Sequence, residues 1–464
     1  MAAGETDTEG ECGVTLAEDI GSFAAATTAK ALPEAARATI ARLIYDVAGL
    51  CVAARKTDYV AAVRASAVSS GSATAIGHDG GFGPYDAALI NGTAAHGEDY
   101  DDTFEGGPVH AGSVVVPAVL AVAEHRGLSG DAVVKGIATG VEIMCRMSLV
   151  APQATHKACF HPTAIFGAPA AAVGVAAALG LAPARIANAI GIAGSLASGI
   201  IEYLADGSST KRLHAGAAAQ SGIRAALLAE NGFTGPATVL EGRHGFYRAF
   251  APSKPPDFAP LMDALGTRWV LETVAFKPYP CGTMTQPFLD CAIELARSNI
   301  KAEDIVSMVC EVGEGTVHRL WEPLQQKQAV PNGYAAKFST PYCIAVGFLD
   351  GKAGFEQFTD ERVMDPKVRA LAATVSYVID PHNDYPKNFS GQSRATLEDG
   401  TVREVRKPHM RGGAHEPLTD DEVKAKFLDN LQFGGWDARR STRLTEAIDR
   451  IVAGTTVDLS EAKP

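Results

Sequence analysis

RWVLETVAFKP, residues 268–278, is where this chain changes texture. Trp, Val and Phe crowd the segment and Pro278 stops it, so it reads as a strand. Working back from it, Leu16 to about Gly266 is helical in pattern. Ala-rich runs carry apolar residues every three or four positions, punctuated by GLSGD (127–131), GLAPA (180–184) and AENGF (229–233). The run Ala218–Glu230 ends on Asn231-Gly232, a good helix stop. Strand signals are nearly absent in this part. Working forward, PFLDCAIELARSN (287–299) reads as a helix and EDIVSMVCEVG (303–313) as a strand. A helix at Tyr342–Leu349 and a strand at Thr374–Val378 follow. SRATLE (393–398) and TVREVRK (401–407) then form a hairpin across Asp399-Gly400. After Pro408 the helical pattern returns in LTDDEVKAKFLDNL (418–431) and STRLTEAIDRIVAG (441–454). The expected fold is therefore a mainly α large domain with an inserted smaller α+β domain. The boundaries are a flexible tail over 1–14, helical domain over 15–266, α+β domain over 267–405, and helical return over 406–464.

A chain of 464 residues is long enough for two cores. Its net charge of −12 and the lack of a basic stripe argue against a nucleic-acid partner. An anionic ligand needs a local cluster of Lys, Arg or His that overrides this field. Pro162 to Pro183 holds no charged residue over most of its length. It is mostly Ala and Gly, however, so it reads as a buried helix that neighbours approach closely, with no membrane partner. Such helices are also compatible with a dimer face. The acidic start MAAGETDTEGECG lacks the basic-then-apolar pattern of a secretory leader. The eight cysteines are scattered without zinc-like spacing, which fits reduced thiols in the cytoplasm.

Chemistry concentrates in NGTAAHGEDYDDTFEGGPVH (91–110). If Ala94–Phe104 is helical, His96, Asp99 and Thr103 share one face at i, i+3 and i+7. The plainer alternative is a solvated acidic helix end with Asp101 and Asp102 outward. A divalent metal is the sharper rival, although no established ligand spacing is present. His110 lies just before the apolar run SVVVPAVLAVAEH (113–125), and His161 in FHPTAIFG (160–167) stands in the same setting. The positive end of a helix dipole favours a neutral, basic imidazole, and its free N–H groups can hold a carboxylate. In DGSSTKRLHAG (206–216), Ser208, Ser209 or Thr210 caps a helix beginning near Lys211. Lys211 and Arg212 then lie against the dipole, which makes sense if both face a shared anion. FKPYPCGT (276–283) adds Lys277, Tyr279 and Cys281, with Cys281 read as a bystander or binding residue. GGFG (80–83) and GEG (313–315) read as turns.

Taken together, NGTAAHGEDYDDT, His110, FHPTAIFG, DGSSTKRLHAG, Lys277, KFSTPYCIAVGFLDG (337–351) and EPLTDDEVKAKF (416–427) resemble the MmgE/PrpD family. The matching pieces run in family order over about residues 16–455. The resemblance implies a helical domain with an α+β lid, a homodimer, and no cofactor or metal. It also implies that Asp99, Thr103, His110, His161, Lys211, Lys277 and Tyr342 line a cleft. Family reactions include dehydration, epimerisation and decarboxylation of di- or tricarboxylic acids. All build negative charge beside a carboxylate, so the site must supply cations, a base and an acid. On this basis Lys211, Lys277 and Arg212 form the clamp, and His161 and His110 act as base and acid. Asp99 and Thr103 orient a His or a substrate hydroxyl, Tyr342 is a second acid, and His96 helps bind substrate. Ala111 and Cys281 depart from the decarboxylase pattern, which places a 2-methylcitrate dehydratase-like reaction first. An iminodisuccinate epimerase-like or cis-aconitate decarboxylase-like reaction is the alternative. From other classes come a metal-dependent hydrolase and a non-catalytic carboxylate-binding protein.

Overall fold

The computed structural model describes residues 13–463; most of the expected N-terminal tail and Cys12 lie outside the described residues. Small residues decide how the helices pack. Every residue of the Pro162–Ala178 helix is buried, between Gly130–Val150 on one side and Thr210–Glu230 on the other. A Cβ on Gly136 would stand 2.7 Å from the Gly174 carbonyl oxygen, and one on Gly222 would stand 2.4 Å from Ala171 Cβ. These helices therefore touch backbone to backbone, and only glycine permits it. The Ala/Gly-rich surface of Pro162–Ala178 is consumed inside the chain, so that helix offers no dimer face. No helix among the described residues is long and apolar enough to cross a membrane.

Pro84–His96 packs across Thr210–Glu230 by the same device: a Cβ on Gly92 would meet Gly216 Cα at 2.7 Å. Gly112–Arg126 lies beside both. Glu34–Ala54 covers this group and is covered in turn by Asp420–Phe433 from the C-terminal return. That last helix starts on a capping box between Thr419 and Glu422. Phe427, Leu431, Leu444, Ile448 and Ile451 of the return belong to the same apolar core as the first half of the chain. A strand missed by the sequence reading, Ser70–Ala73, sits at the edge of this unit.

The stretch 268–278 is only briefly a strand. Val270–Thr273 is a 3₁₀ turn, and Val274–Ala275 alone pairs, antiparallel, with Thr103–Phe104. The reason lies in a neighbouring helix. Glu142, held by Arg146 Nε at 2.6 Å, accepts the N–H groups of Val270 at 3.1 Å and Leu271 at 3.0 Å. A side chain thus takes the donors a strand partner would have needed.

Beyond it a second core gathers between Tyr279 and Ala395. Its sheet runs Val375–Ile379, Ile305–Val312, Gly391–Leu397, Val402–Lys407. The first pair is parallel and the others antiparallel. The hairpin turns at Gly400, φ +81°. Gln286–Ala296 packs on the last two strands and on Thr340–Asp350. The architecture is mainly α, with a smaller α+β unit whose chain returns to the helical core.

Candidate active site

The site forms where the two cores meet, on the loop between His96 and Gly112. The helix expected through Phe104 ends at His96. Gly97 caps it against Tyr59, whose hydroxyl lies 2.3 Å and whose ring carbons lie 2.5 Å from where a Cβ would stand. Two residues on, Asp99 adopts φ +57°, the left-handed region that no helix continues through. His96, Asp99 and Thr103 therefore do not share a helical face; Thr103 instead pairs in the short strand with Ala275. Asp101 and Asp102 do not face solvent, because both are wholly buried.

Cations explain the fold of the loop. Lys211 Nζ stands 2.8 Å from Asp99 Oδ1. Lys277 Nζ donates to the Asp99 carbonyl at 3.0 Å and lies 3.4 Å from its Oδ1 and 3.9 Å from Asp101 Oδ1. Burial alone would raise the Asp99 carboxyl, but Lys211 and Lys277 hold it well below the usual range. Burial would likewise lower the Lys211 ammonium, and Asp99 raises it. So Lys211 does face an anion from the first turn of its helix, which begins at Thr210 after Ser209. Arg212 does not share that anion. Its guanidinium lies between the rings of Tyr59, at 4.7 Å, and Tyr334, at 3.9 Å, and Nε donates to the Gly97 carbonyl at 3.2 Å.

Four imidazoles line up beside these lysines. His96 stacks on His161 with centroids 5.5 Å apart, and lies 5.1 Å from His110. His161 continues to His214 at 5.2 Å. Their settings differ. His96 Nδ1 bonds Asp101 Oδ2 at 2.7 Å, while its Nε2 is buried without a partner among the described residues. His110 Nδ1 donates to the Asp102 carbonyl at 2.6 Å, which fixes its proton there. His110 and His161 stand before the helices at Gly112 and Pro162, as the sequence implied. Burial pushes His110 down to about 4 and His161 well below its ordinary value. Both are neutral at pH 7.

Asp102 is the opposite case. Oδ1 accepts from Gly112 N–H at 3.0 Å, but Oδ2 is buried without a partner. Burial, with Asp101 adding, pushes its carboxyl up to about 8. Tyr342 is not in the site: its hydroxyl donates to the Gln357 carbonyl at 2.5 Å, inside the second core. The helix that starts at Thr340 carries its ring within the second core, away from the position the resemblance implied for a second acid. Cys281 is buried in the same core, and the seven described cysteines are all free.

Sequence reasoning missed Asp101, Asp102, His214 and Lys337. Lys337 Nζ donates to the Glu98 carbonyl at 2.8 Å and pairs with the Glu98 carboxylate, tying the second unit to the loop. His214 had a signal, since it follows Lys211 by three residues on one helical face. Asp101 and Asp102 lay in the segment the sequence singled out, but their burial had no signal, because paired acids in a loop look solvated until their partners are known. Among the described residues, His96, Asp101 and His110 could hold a metal ion, with ligand atoms all within 4.8 Å. The Nδ1 atoms of both histidines are already hydrogen-bonded, while His96 Nε2 and Asp101 Oδ1 have no hydrogen-bond partner among the described residues.

Residues 18–259 match the family model of the MmgE/PrpD N-terminal domain, and residues 279–450 that of the MmgE/PrpD C-terminal domain. Human cis-aconitate decarboxylase is 29% identical over 371 residues, covering 77% of this chain and 75% of that protein. The mouse cis-aconitate decarboxylase is 28% identical over 358 residues, 75% of this chain and 72% of its own length. A 2-methylcitrate dehydratase from Cupriavidus necator is 27% identical over 242 residues, 49% of this chain and 48% of its own length.

Proposed function

The chain belongs to the MmgE/PrpD family, and from that premise we propose that it is a cofactor-independent lyase of di- or tricarboxylic acids. The observation that carries this reading is the placement of Lys211 and Lys277 on one buried carboxylate, beside neutral histidines at two helix starts. Asp99 occupies a spot where a substrate carboxylate would find the same two cations. Carbon acids next to carboxylates ionise badly in water because charge accumulates. Fixed ammonium groups in a dry site lower that barrier without reorganisation.

The first reaction to test is decarboxylation of a cis-aconitate-type acid, because the relatives so named align over three quarters of this chain. The dehydration favoured by the sequence reading comes second, supported by a relative that aligns over half. In either case His161 handles the proton. In the free protein it is neutral and can accept one. A polyanion bound at the lysines reverses the local field and raises its proton affinity, so it can also donate one. For decarboxylation the C–CO2 bond breaks, its electron pair enters the conjugated acid, and the His161 proton quenches the carbanion. Arg212 and Tyr334 form the wall outside the lysines, a binding role. The homodimer that the resemblance implies belongs to the same proposal, and light scattering in solution checks it.

Lys211→Met removes a cation from the developing charge. With EDTA present, kcat/KM for carbon dioxide release from cis-aconitate is expected to fall about 10²- to 10³-fold. Unchanged turnover in Lys211→Met, or wild-type turnover abolished by EDTA and restored by a divalent ion, contradicts the reading.

A further inference from the structure

His161 faces a second histidine that no part of the mechanism above uses. Its Nδ1 lies 3.0 Å from Nδ1 of His214, with both rings buried. Two neutral imidazoles at this distance share one proton: one Nδ1 donates and the other accepts. The contact is built into the backbone. His161 N–H donates to the Gly199 carbonyl at 2.9 Å. Gly199 has φ +129°, and a Cβ there would stand 2.6 Å from Ala164 Cβ and 3.4 Å from the His214 ring. Only glycine lets this loop bring the two rings together. Among the described residues, nothing hydrogen-bonds His161 Nε2.

Resting on the reading of His161 as the proton-transfer group, we propose that His214 is a positioning residue that accepts the Nδ1–H of His161 and so leaves His161 Nε2 bare for the substrate. The alternative tautomer fails chemically. If His214 donated, the His161 proton would sit on Nε2, and its lone pair would point at His214. His161 could then release a proton only by becoming an imidazolate, and take one only at the nitrogen His214 occupies. With His214 accepting, His161 gains a proton at Nε2 and becomes an imidazolium whose Nδ1–H is still bonded. The pair stays satisfied through the whole proton cycle. His214, its own proton on Nε2, never has to change state.

Long-range ¹H–¹⁵N spectra of the full-length protein with ¹⁵N-labelled histidine read the tautomer without substrate; His161→Gln assigns the signal. The expected result is His161 protonated at Nδ1 in the wild type, with that state lost in His214→Leu. In turnover, His214→Leu is expected to lower kcat about 10- to 100-fold, while KM changes little. His214→Asn, whose side-chain oxygen can accept the same proton, restores most of kcat. His161 protonated at Nε2 in the wild type overturns the assignment, as does a His214→Leu protein with unchanged tautomer and kcat. Absence of turnover on every acid counts against the lyase reading alone. The wild-type spectrum then decides the role of His214 by itself.

Discussion

Asp102 is a carboxyl group whose burial favours the protonated form. It is buried, one oxygen is without a partner, and its neighbour Asp101 is an anion. Burial pushes its carboxyl up to about 8, well above the usual carboxylate value of about 4. A raised pKa means its contribution to stability is fully present below about 4 and is lost as pH rises through about 8. Between these limits the folded state holds one proton that the unfolded state has released. Stability should therefore fall by ~1.4 kcal/mol per pH unit from this group. Asp102→Asn removes the titration while keeping the shape. Urea unfolding of both proteins between pH 5.5 and 7.5 is expected to show a flatter dependence for Asp102→Asn. Parallel curves would place the proton elsewhere. The contrast with Asp99, held ionised by two lysines three residues earlier, shows how far neighbours rather than residue type set charge here.

The helix Asp420–Phe433 reaches the site from the far end of the chain. Lys426 Nζ pairs with Asp46 Oδ1 at 2.7 Å and donates to the Tyr100 carbonyl at 2.6 Å, under the loop that carries Asp99. Burial raises the Asp46 carboxyl and lowers the Lys426 ammonium, so desolvation outweighs the pairing on both sides. Such a pair contributes little net stability, but breaking it leaves a buried group alone. Lys426→Met is expected to cost about 3–5 kcal/mol in chemical denaturation. Asp46→Leu with Lys426→Met should cost clearly less than that single change. A double variant as damaged as the single would show that the Tyr100 contact, not the ion pair, carries the effect. This helix was legible in sequence, down to its Thr419–Glu422 cap. Its role was not, because Lys426 looks like any lysine on an amphipathic helix until Asp46 is placed opposite.

At the scale of the whole molecule, the sequence read well where local chemistry dictates structure. The Ala/Gly helices, the hairpin at Gly400 and the histidines at two helix starts all follow from neighbours in the chain. It misread what long-range partners decide. Residues 268–278 lose their strand to Glu142, and the loop after His96 is bent by lysines more than a hundred residues away. Tyr342 sits in the right motif with its hydroxyl turned into the second core. What unites the molecule is that three lysines from three segments, Lys211, Lys277 and Lys337, converge on residues 98 and 99. In a chain of net charge −12 these ammonium groups are held in place by Glu98 and Asp99, and under the proposed function a polycarboxylate shares them. The measurement that tests this account most directly is proton NMR in D2O, with EDTA, on cis-aconitate-, citrate- and aspartate-type acids. Deuterium is expected at the carbon next to a carboxylate in the converted acid, and is lost in His161→Gln. Conversion with no deuterium at that carbon, or full conversion by His161→Gln, would contradict it.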